Sequence, residues 1–457
     1  MFLSDPTLVS LIHLGCARNL IDSELILGRM AEAGLTITAD AAAAGTVVIN
    51  TCSFIGPAQA ESEAAIEAEL ARKRAGDLRL VVVAGCLVQR YRKKLREQFP
   101  TVDLFAEISD YRSLALSIRD LADGKRVPGY LEGPAQREAS REGARLLATP
   151  SSYAFLRISH GCDHKCSFCT IPSIRGLHRS KPIDVILAEA EELVAAGARE
   201  LVLVAEDSTF WGRDLGLRLP DLIEQLAEVP GLLWVRLMYA YPGDFPWELT
   251  PLLREHPRVA TYLDMPIQHA SASVLRAMRR GGGGAQMRRM FDRLFLEVPD
   301  LSLRTTLLVG FPGETEEDLQ ELLQLLQDYS LSRVGVFVYS PEPGTESFDL
   351  DQRVPEELAL ERRGRVLEVR DAQLRAEQEA LVGQRIEVLI DEPAGPDGTC
   401  VGHTIRDAPE SDLVAFVRDG EADHCSATPG SLLHAVVEGT DDDHNLLASM
   451  EQAETRS

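Results

Sequence analysis

Apolar runs of strand length alternate with amphipathic stretches along the first quarter of the chain. Residues 8–14, 46–50 and 80–84 read as buried strands, and residues 22–33 and 58–74 carry helical spacing. That alternation predicts a parallel sheet with crossover helices over residues 7–123. Residues 124–152 mix Pro, Gly and charge with weak periodicity and read as a linker. The rhythm returns on a longer scale over 153–380. Strands are expected at 154–158, 200–204, 234–238, 261–265, 302–309 and 334–339, and helices at 182–196, 219–228 and 314–329. Six such units predict an incomplete (β/α) barrel, because closure takes eight. A charged amphipathic helix, 356–380, leads out of it. Over 383–450 the pattern changes to short strands (385–391, 413–417, 432–437) around turns such as Gly395-Pro396-Asp397-Gly398. A small antiparallel β-barrel is expected there. The fold class is therefore α/β, with a parallel-sheet domain, a partial barrel and a small β-barrel.

Length agrees with this division, since 457 residues make roughly three domains. No apolar run reaches membrane-spanning length. Residues 1–15 lack a charged n-region and a small-residue cleavage site, so the expected location is cytoplasmic. The net charge of −24 disfavours bare nucleic-acid backbone and favours basic partners. Residues 383–457 hold 16 Asp and Glu against four Lys and Arg, a balance of −12.

Eight cysteines in a long chain without an export signal point to metal or redox chemistry rather than disulfides. Cys162-Asp163-His164-Lys165-Cys166-Ser167-Phe168-Cys169 puts three thiolates on one loop after the first expected barrel strand. Such a loop can hold three corners of a four-iron cluster and leave one iron open. The alternative is a structural zinc site in a non-enzymatic scaffold, with His160 or His164 as fourth ligand. Cys16, Cys52 and Cys86 each stand just past the C-terminal end of an expected buried strand. In an open parallel sheet those ends share one edge, so the three should converge on a second, similar site.

The Cys-x3-Cys-x2-Cys spacing with Phe168 before the last cysteine resembles the signature of the radical S-adenosylmethionine superfamily. The order of the two triads resembles the methylthiotransferases. Gly15-Cys16-Ala17-Arg18-Asn19 with Asp22-Ser23-Glu24 is similar to their first-domain motif. Ile171-Pro172-Ser173-Ile174-Arg175-Gly176, Arg179-Ser180, Arg304-Thr305-Thr306 and Gly310-Phe311-Pro312-Gly313-Glu314-Thr315 are similar to their barrel segments, and 383–450 to their TRAM domain. The resemblance implies two 4Fe-4S clusters, S-adenosylmethionine and a 5′-deoxyadenosyl radical. It assigns Cys162, Cys166 and Cys169 to the radical-generating cluster and Cys16, Cys52 and Cys86 to the auxiliary one.

Within that family Leu14–Glu24 and Asp407-Ala408-Pro409-Glu410 resemble the RimO-type branch. That branch converts an aspartate of the twelfth small-subunit ribosomal protein to 3-methylthioaspartate. A basic ribosomal protein suits the acidic charge, and direct tRNA binding, the alternative, does not. An unidentified electron donor is implied as well. Phe168, Glu206, Asp207 and Arg304 are candidates to contact the cofactor, with Gln268 and His269 as pocket or loop residues. Arg304 serves equally in a structural ion pair. Cys400 and Cys425 are expected as free thiols, and His424 has no assigned role. Gly281-Gly282-Gly283-Gly284 departs from the family pattern.

Overall fold

The computed structural model describes residues 5–108, 110–133, 139–280, 283–419 and 425–451. Its first unit is a wholly parallel sheet. The strand order is Thr36–Ile37, Leu8–His13, Thr46–Thr51, Leu80–Gly85, Leu104–Ala106, Tyr130–Leu131. Helices cover both faces, so the middle strands are buried throughout. Val47, Ile49, Val81 and Val83 face one core; Val48, Val82 and Ala84 face the other.

Part of the segment expected as a linker completes this sheet, through Tyr130–Leu131. Further along, Glu142 binds Arg157 at 2.5 Å and Lys181 at 2.7 Å. Arg145 pairs with Glu24. The mixed charge that suggested a solvated linker instead reaches into the neighbouring units.

Six parallel strands follow in chain order: Tyr153–Arg157, Glu200–Val204, Trp234–Leu237, Val259–Asp264, Ser302–Val309 and Arg333–Val338. The first and last remain edges, so the barrel stays open on one side. Helix Glu316–Asp328 begins at a reciprocal cap between Thr315 and Asp318. The long helix Glu356–Ala380 lies against the last strand, burying Ala359, Arg362 and Val366.

Helix Ala17–Glu32 joins the two units. Leu20, Ile21 and Leu25 pack with Phe155, Val202, Val204 and Tyr262 of the open barrel. It starts at Ala17, well before residue 22, and its first turns bury Asn19, Asp22, Ser23 and Glu24 against partners instead of facing them to water. A polar run of that kind hides helical periodicity.

The C-terminal unit is a closed barrel ordered Arg385–Glu392, Cys400–Thr404, Ala415–Arg418, Leu446–Met450, Leu432–Thr440. Four contacts are antiparallel. Ala415–Arg418 and Leu446–Met450 run parallel, which corrects the wholly antiparallel expectation. Gly402 allows close backbone approach, because a Cβ there would stand 2.3 Å from the Leu389 carbonyl oxygen.

Cys400 and Cys425 form a disulfide, correcting the free-thiol expectation. The Cys425 amide donates to Gly398 O at 3.0 Å, bringing the two Cα atoms to 6.1 Å, within disulfide reach. His424, Gly281 and Gly282 lie outside the described residues.

The segment around Asp407–Asp412 docks this barrel onto the open one. Asp407 binds Arg333 at 2.8 Å, Asp412 accepts from Tyr262 at 2.6 Å, and Glu410 accepts from Tyr153 at 2.9 Å. His403 bridges Glu200 (2.9 Å) and Asp391 (2.7 Å). Several of the acids counted in the −12 balance are therefore paired inside the molecule. Among the described residues no helix is long and apolar enough to cross a membrane.

Candidate functional site

The first triad stands on one sheet edge. Strands Leu8–His13, Thr46–Thr51 and Leu80–Gly85 are neighbours in register, with His13 beside Asn50 and Thr51 beside Gly85. Each C-terminal end delivers one cysteine: Cys16, Cys52 and Cys86. Polar side chains fix the three loops. Asn19 donates to Leu14 O (2.7 Å), and Asn50 donates to Asn19 O (2.9 Å) and Ser23 Oγ (2.8 Å). Ser62 Oγ donates to Cys52 O at 2.8 Å, and Thr51 Oγ1 donates to Ala84 O at 2.6 Å. Gly15, at φ +103°, has no space for a side chain, since a Cβ would stand 2.8 Å from Cys52 Cβ.

The second triad lies on the loop after the first barrel strand. Cys162 N donates to Gly176 O, and Ser167 binds Met278 O and Ala277 O, pinning the loop at both ends. Phe168 packs edge-on against Phe311. His164 stacks on Tyr241 at 3.7 Å and binds Asp207 at 2.6 Å. His160 faces Glu142 at 3.5 Å. Both histidines proposed as a fourth zinc ligand are thus engaged elsewhere.

Two arginines that sequence reasoning missed reach the cysteines. Arg175 donates to Cys86 Sγ at 3.4 Å and pairs with Asp22 at 2.9 Å and Glu206 at 3.8 Å. Arg280 donates to Cys166 Sγ at 3.6 Å and lies over the Tyr241 ring. Arg175 stood within a quoted motif, but its partner is 89 residues away in sequence, and no local pattern announces that.

Cys16, Cys162, Cys166 and Cys169 wall one cavity of about 310 Å3. Phe168, Glu206, Gln268 and Arg304 share it. Gln268 (φ +71°) and Tyr239 (φ +59°) hold left-handed backbone there, local strain of the kind found at functional sites. Arg304 is tied to Asp264 and Asp412, both at 3.2 Å, so its ion-pair role is realised. Asp207 lies off the cavity wall; it orients His164 and caps Thr209 N. His269 is wholly buried, accepts from Ser271 N, and is likewise off the wall.

The donor set fits iron–sulfur clusters. Burial, and then the neighbouring thiols, push Cys52 up to about 11 and Cys169 up to about 12. Burial also raises Cys162 to about 12, with its two loop partners adding to it. Burial opposes ionisation of Cys16 too, but Arg18 and Arg175 bring it below the ordinary thiol value. Crowded buried thiols resist ionising together, and bound iron would remove that conflict by replacing the protons. Ser53 Oγ beside Cys52 and Thr170 Oγ1 beside Cys169 are buried hydroxyls without a protein partner among the described residues, free to donate to sulfur. Among the described residues no three His, Cys, Asp or Glu side chains could hold a single metal ion. A four-iron cluster spreads its thiolates over separate irons and does not require that.

Comparison with known proteins decides the family. Residues 156–326 match the Radical SAM superfamily, and residues 9–107 match Uncharacterized protein family UPF0004. Ribosomal protein uS12 methylthiotransferase RimO of Anaeromyxobacter sp. (strain K) is 42% identical over 91% of this chain and 88% of its own length. The chain belongs to the RimO family of methylthiotransferases. The RimO of Porphyromonas gingivalis (strain ATCC 33277) is 40% identical over 95% and 96% of the two chains, and that of Geobacter sulfurreducens 39% over 91% and 93%. Among solved structures, the radical S-adenosylmethionine methyltransferase TsrM from Kitasatospora setae has a TM-score of 0.52 over 75% of this chain and 77% of that one. At 16% identity this is a likeness of fold. As a member of the RimO family, the chain is a radical S-adenosylmethionine enzyme that uses 4Fe-4S clusters.

Proposed function

We propose that this enzyme transfers a methylthio group to the β-carbon of an aspartate on ribosomal protein uS12, in the cytoplasm. We assign Cys162, Cys166 and Cys169 to the radical-generating cluster and Cys16, Cys52 and Cys86 to the auxiliary cluster. The observation that carries the reading is the shared cavity, where Cys16 of one triad faces all three cysteines of the other.

When bound, the clusters and S-adenosylmethionine supply a carbon radical and a transferable sulfur group, which an unactivated Cβ–H requires. The protein's own part is placement. Asn19, Asn50 and Thr51 hold the auxiliary loops in register. Arg175 ties the auxiliary site to the barrel through Cys86, Asp22 and Glu206. Arg18, which lies over Tyr239 and donates to Ala205 O at 3.2 Å, and Arg280 give the cavity positive charge for carboxylates, that of the methionine moiety and that of the substrate aspartate. Phe168 and Phe337 give it apolar walls that limit water. Residues 7–123 with strand Tyr130–Leu131, 153–380 and 383–450 serve as the three working domains.

The test mixes reduced, reconstituted enzyme with uS12 and, separately, with tRNA, and reads the mass gain of a methylthio group. A gain on the uS12 aspartate alone is expected. Modification of tRNA alone overturns the protein-substrate reading.

A further inference from the structure

A groove of about 1060 Å3 lies on the outer side of the cluster loop, also walled by Cys162, Cys166 and Cys169. Its far wall is the turn between helices Cys86–Tyr91 and Lys93–Gln98 of the first domain. That turn is built on Arg92 at φ +50°, an unfavourable conformation for arginine, and it presents Arg92, Lys93 and Lys94 in succession, all exposed. Lys165, exposed on the cluster loop, faces the same space.

Two of the four acids of this groove are paired with cations, and two, Glu107 and Asp163, accept from neutral donors and keep their charge. Glu107 accepts from Tyr130 at 2.6 Å, and Asp163 accepts from His178 N at 2.9 Å. Glu132 pairs with Lys93 at 3.1 Å and Glu346 with Arg279 at 2.6 Å. Arg92, Lys94 and Lys165 make no ion pair among the described residues. Among the described residues the mouth of the groove that leads to the radical triad thus carries three exposed cations without an ion-pair partner, against two such carboxylates, of which Glu107 is buried. That local excess of exposed cations favours an acidic protein over a basic one at this rim.

We infer that this groove docks an acidic one-electron carrier protein. One electron leaves the carrier, which is oxidised, and enters the cluster at Cys162, Cys166 and Cys169, which is reduced; no bond is made or broken. The inference rests on the cluster assignment above. It gives the two proteins separate entrances, with the reductant arriving at the outer groove and the substrate reaching the inner cavity.

The experiment compares reconstituted wild-type enzyme with the double variant R92E/K94E. An acidic ferredoxin serves as probe and dithionite as a small reductant. Ferredoxin binding and the rate of ferredoxin-driven cluster reduction should both fall by about tenfold or more, and the wild-type rate should itself fall with added salt. Dithionite-driven reduction and uS12 modification should be unchanged. The variant K165E, on the opposite wall, should repeat the loss of ferredoxin binding. Unchanged ferredoxin binding and reduction in both variants overturns the inference. So does loss of binding to a ribosomal RNA fragment with ferredoxin coupling intact, which would make the groove an RNA site. Failure of the proposed function itself would appear differently, as absence of uS12 product in wild-type enzyme reduced by dithionite.

Discussion

Replacing Asp22 by alanine tests how the two triads are held to one another. Asp22 is 1% exposed and lies on the helix that begins at Cys16. Its two oxygens meet Arg157 at 2.8 Å and Arg175 at 2.9 Å, both buried and both from the barrel. Removing one partner from a buried ion pair costs about 3–5 kcal/mol, because a desolvated charge is left behind. Here two guanidiniums lose a partner. Arg157 keeps Glu142 at 2.5 Å, whereas Arg175 keeps only the more distant Glu206 and the Cys86 sulfur. The loss should therefore stay within that range rather than double it. At about 2–4 °C per kcal/mol for a domain of this size, the melting temperature should drop by about 6–20 °C. The isosteric D22N, which retains a carbonyl acceptor, should fall between the two. Scanning calorimetry of reconstituted protein measures this, and hydrogen exchange of helix Ala17–Glu32 should accelerate with it. A D22A protein that melts within about 2 °C of wild type, with helix protection unchanged, would refute the reasoning.

Gly15→Ala places a Cβ against Cys52 at a positive φ, so iron bound by the auxiliary triad should fall while that of the radical triad persists; equal iron content in both proteins contradicts this. His403 gives a pH prediction. Burial alone would depress it, but Glu200 and Asp391 raise it to about 9. A raised histidine contributes its full stability below its unfolded value near 6.5 and loses it as pH climbs through about 9. Attachment of the C-terminal barrel, followed by limited proteolysis after residue 380, should accordingly weaken between those values. The H403A variant should be cut equally fast across that window.

Much of this architecture was legible in the sequence because most barrel and sheet strands are short, mainly apolar runs. Glu200–Val204 and Ser302–Val309 have the expected bounds, and the other large strands shift by a residue or two. What escaped was written in long-range polar contacts. The start of helix Ala17–Glu32 was hidden by buried Asn19, Asp22 and Glu24; Asn19 bonds across its own sheet unit, and the partners of Asp22 and Glu24 lie beyond it. Strands Cys400–Thr404 and Leu446–Met450 carry Gly402, Ala448 and Ser449, which weaken the β signal. At the site, the cysteines were visible through strand-end logic and loop spacing. Arg175 and Arg280 were not, because their meaning depends on sulfur atoms more than 80 residues away. The acidic C-terminal unit was read as a field for a basic partner. Asp391, Asp407, Glu410 and Asp412 are instead committed to its docking interface, so that argument now rests on the acids that remain outside.

The most direct measurement is iron content after anaerobic reconstitution of wild type, C162A and C52A. Two clusters on two triads predict about eight irons per chain in the wild type and about half in each variant. Cleavage of S-adenosylmethionine should be lost only in C162A. If neither substitution lowers bound iron, or if either one removes all of it, two separate four-iron sites are contradicted.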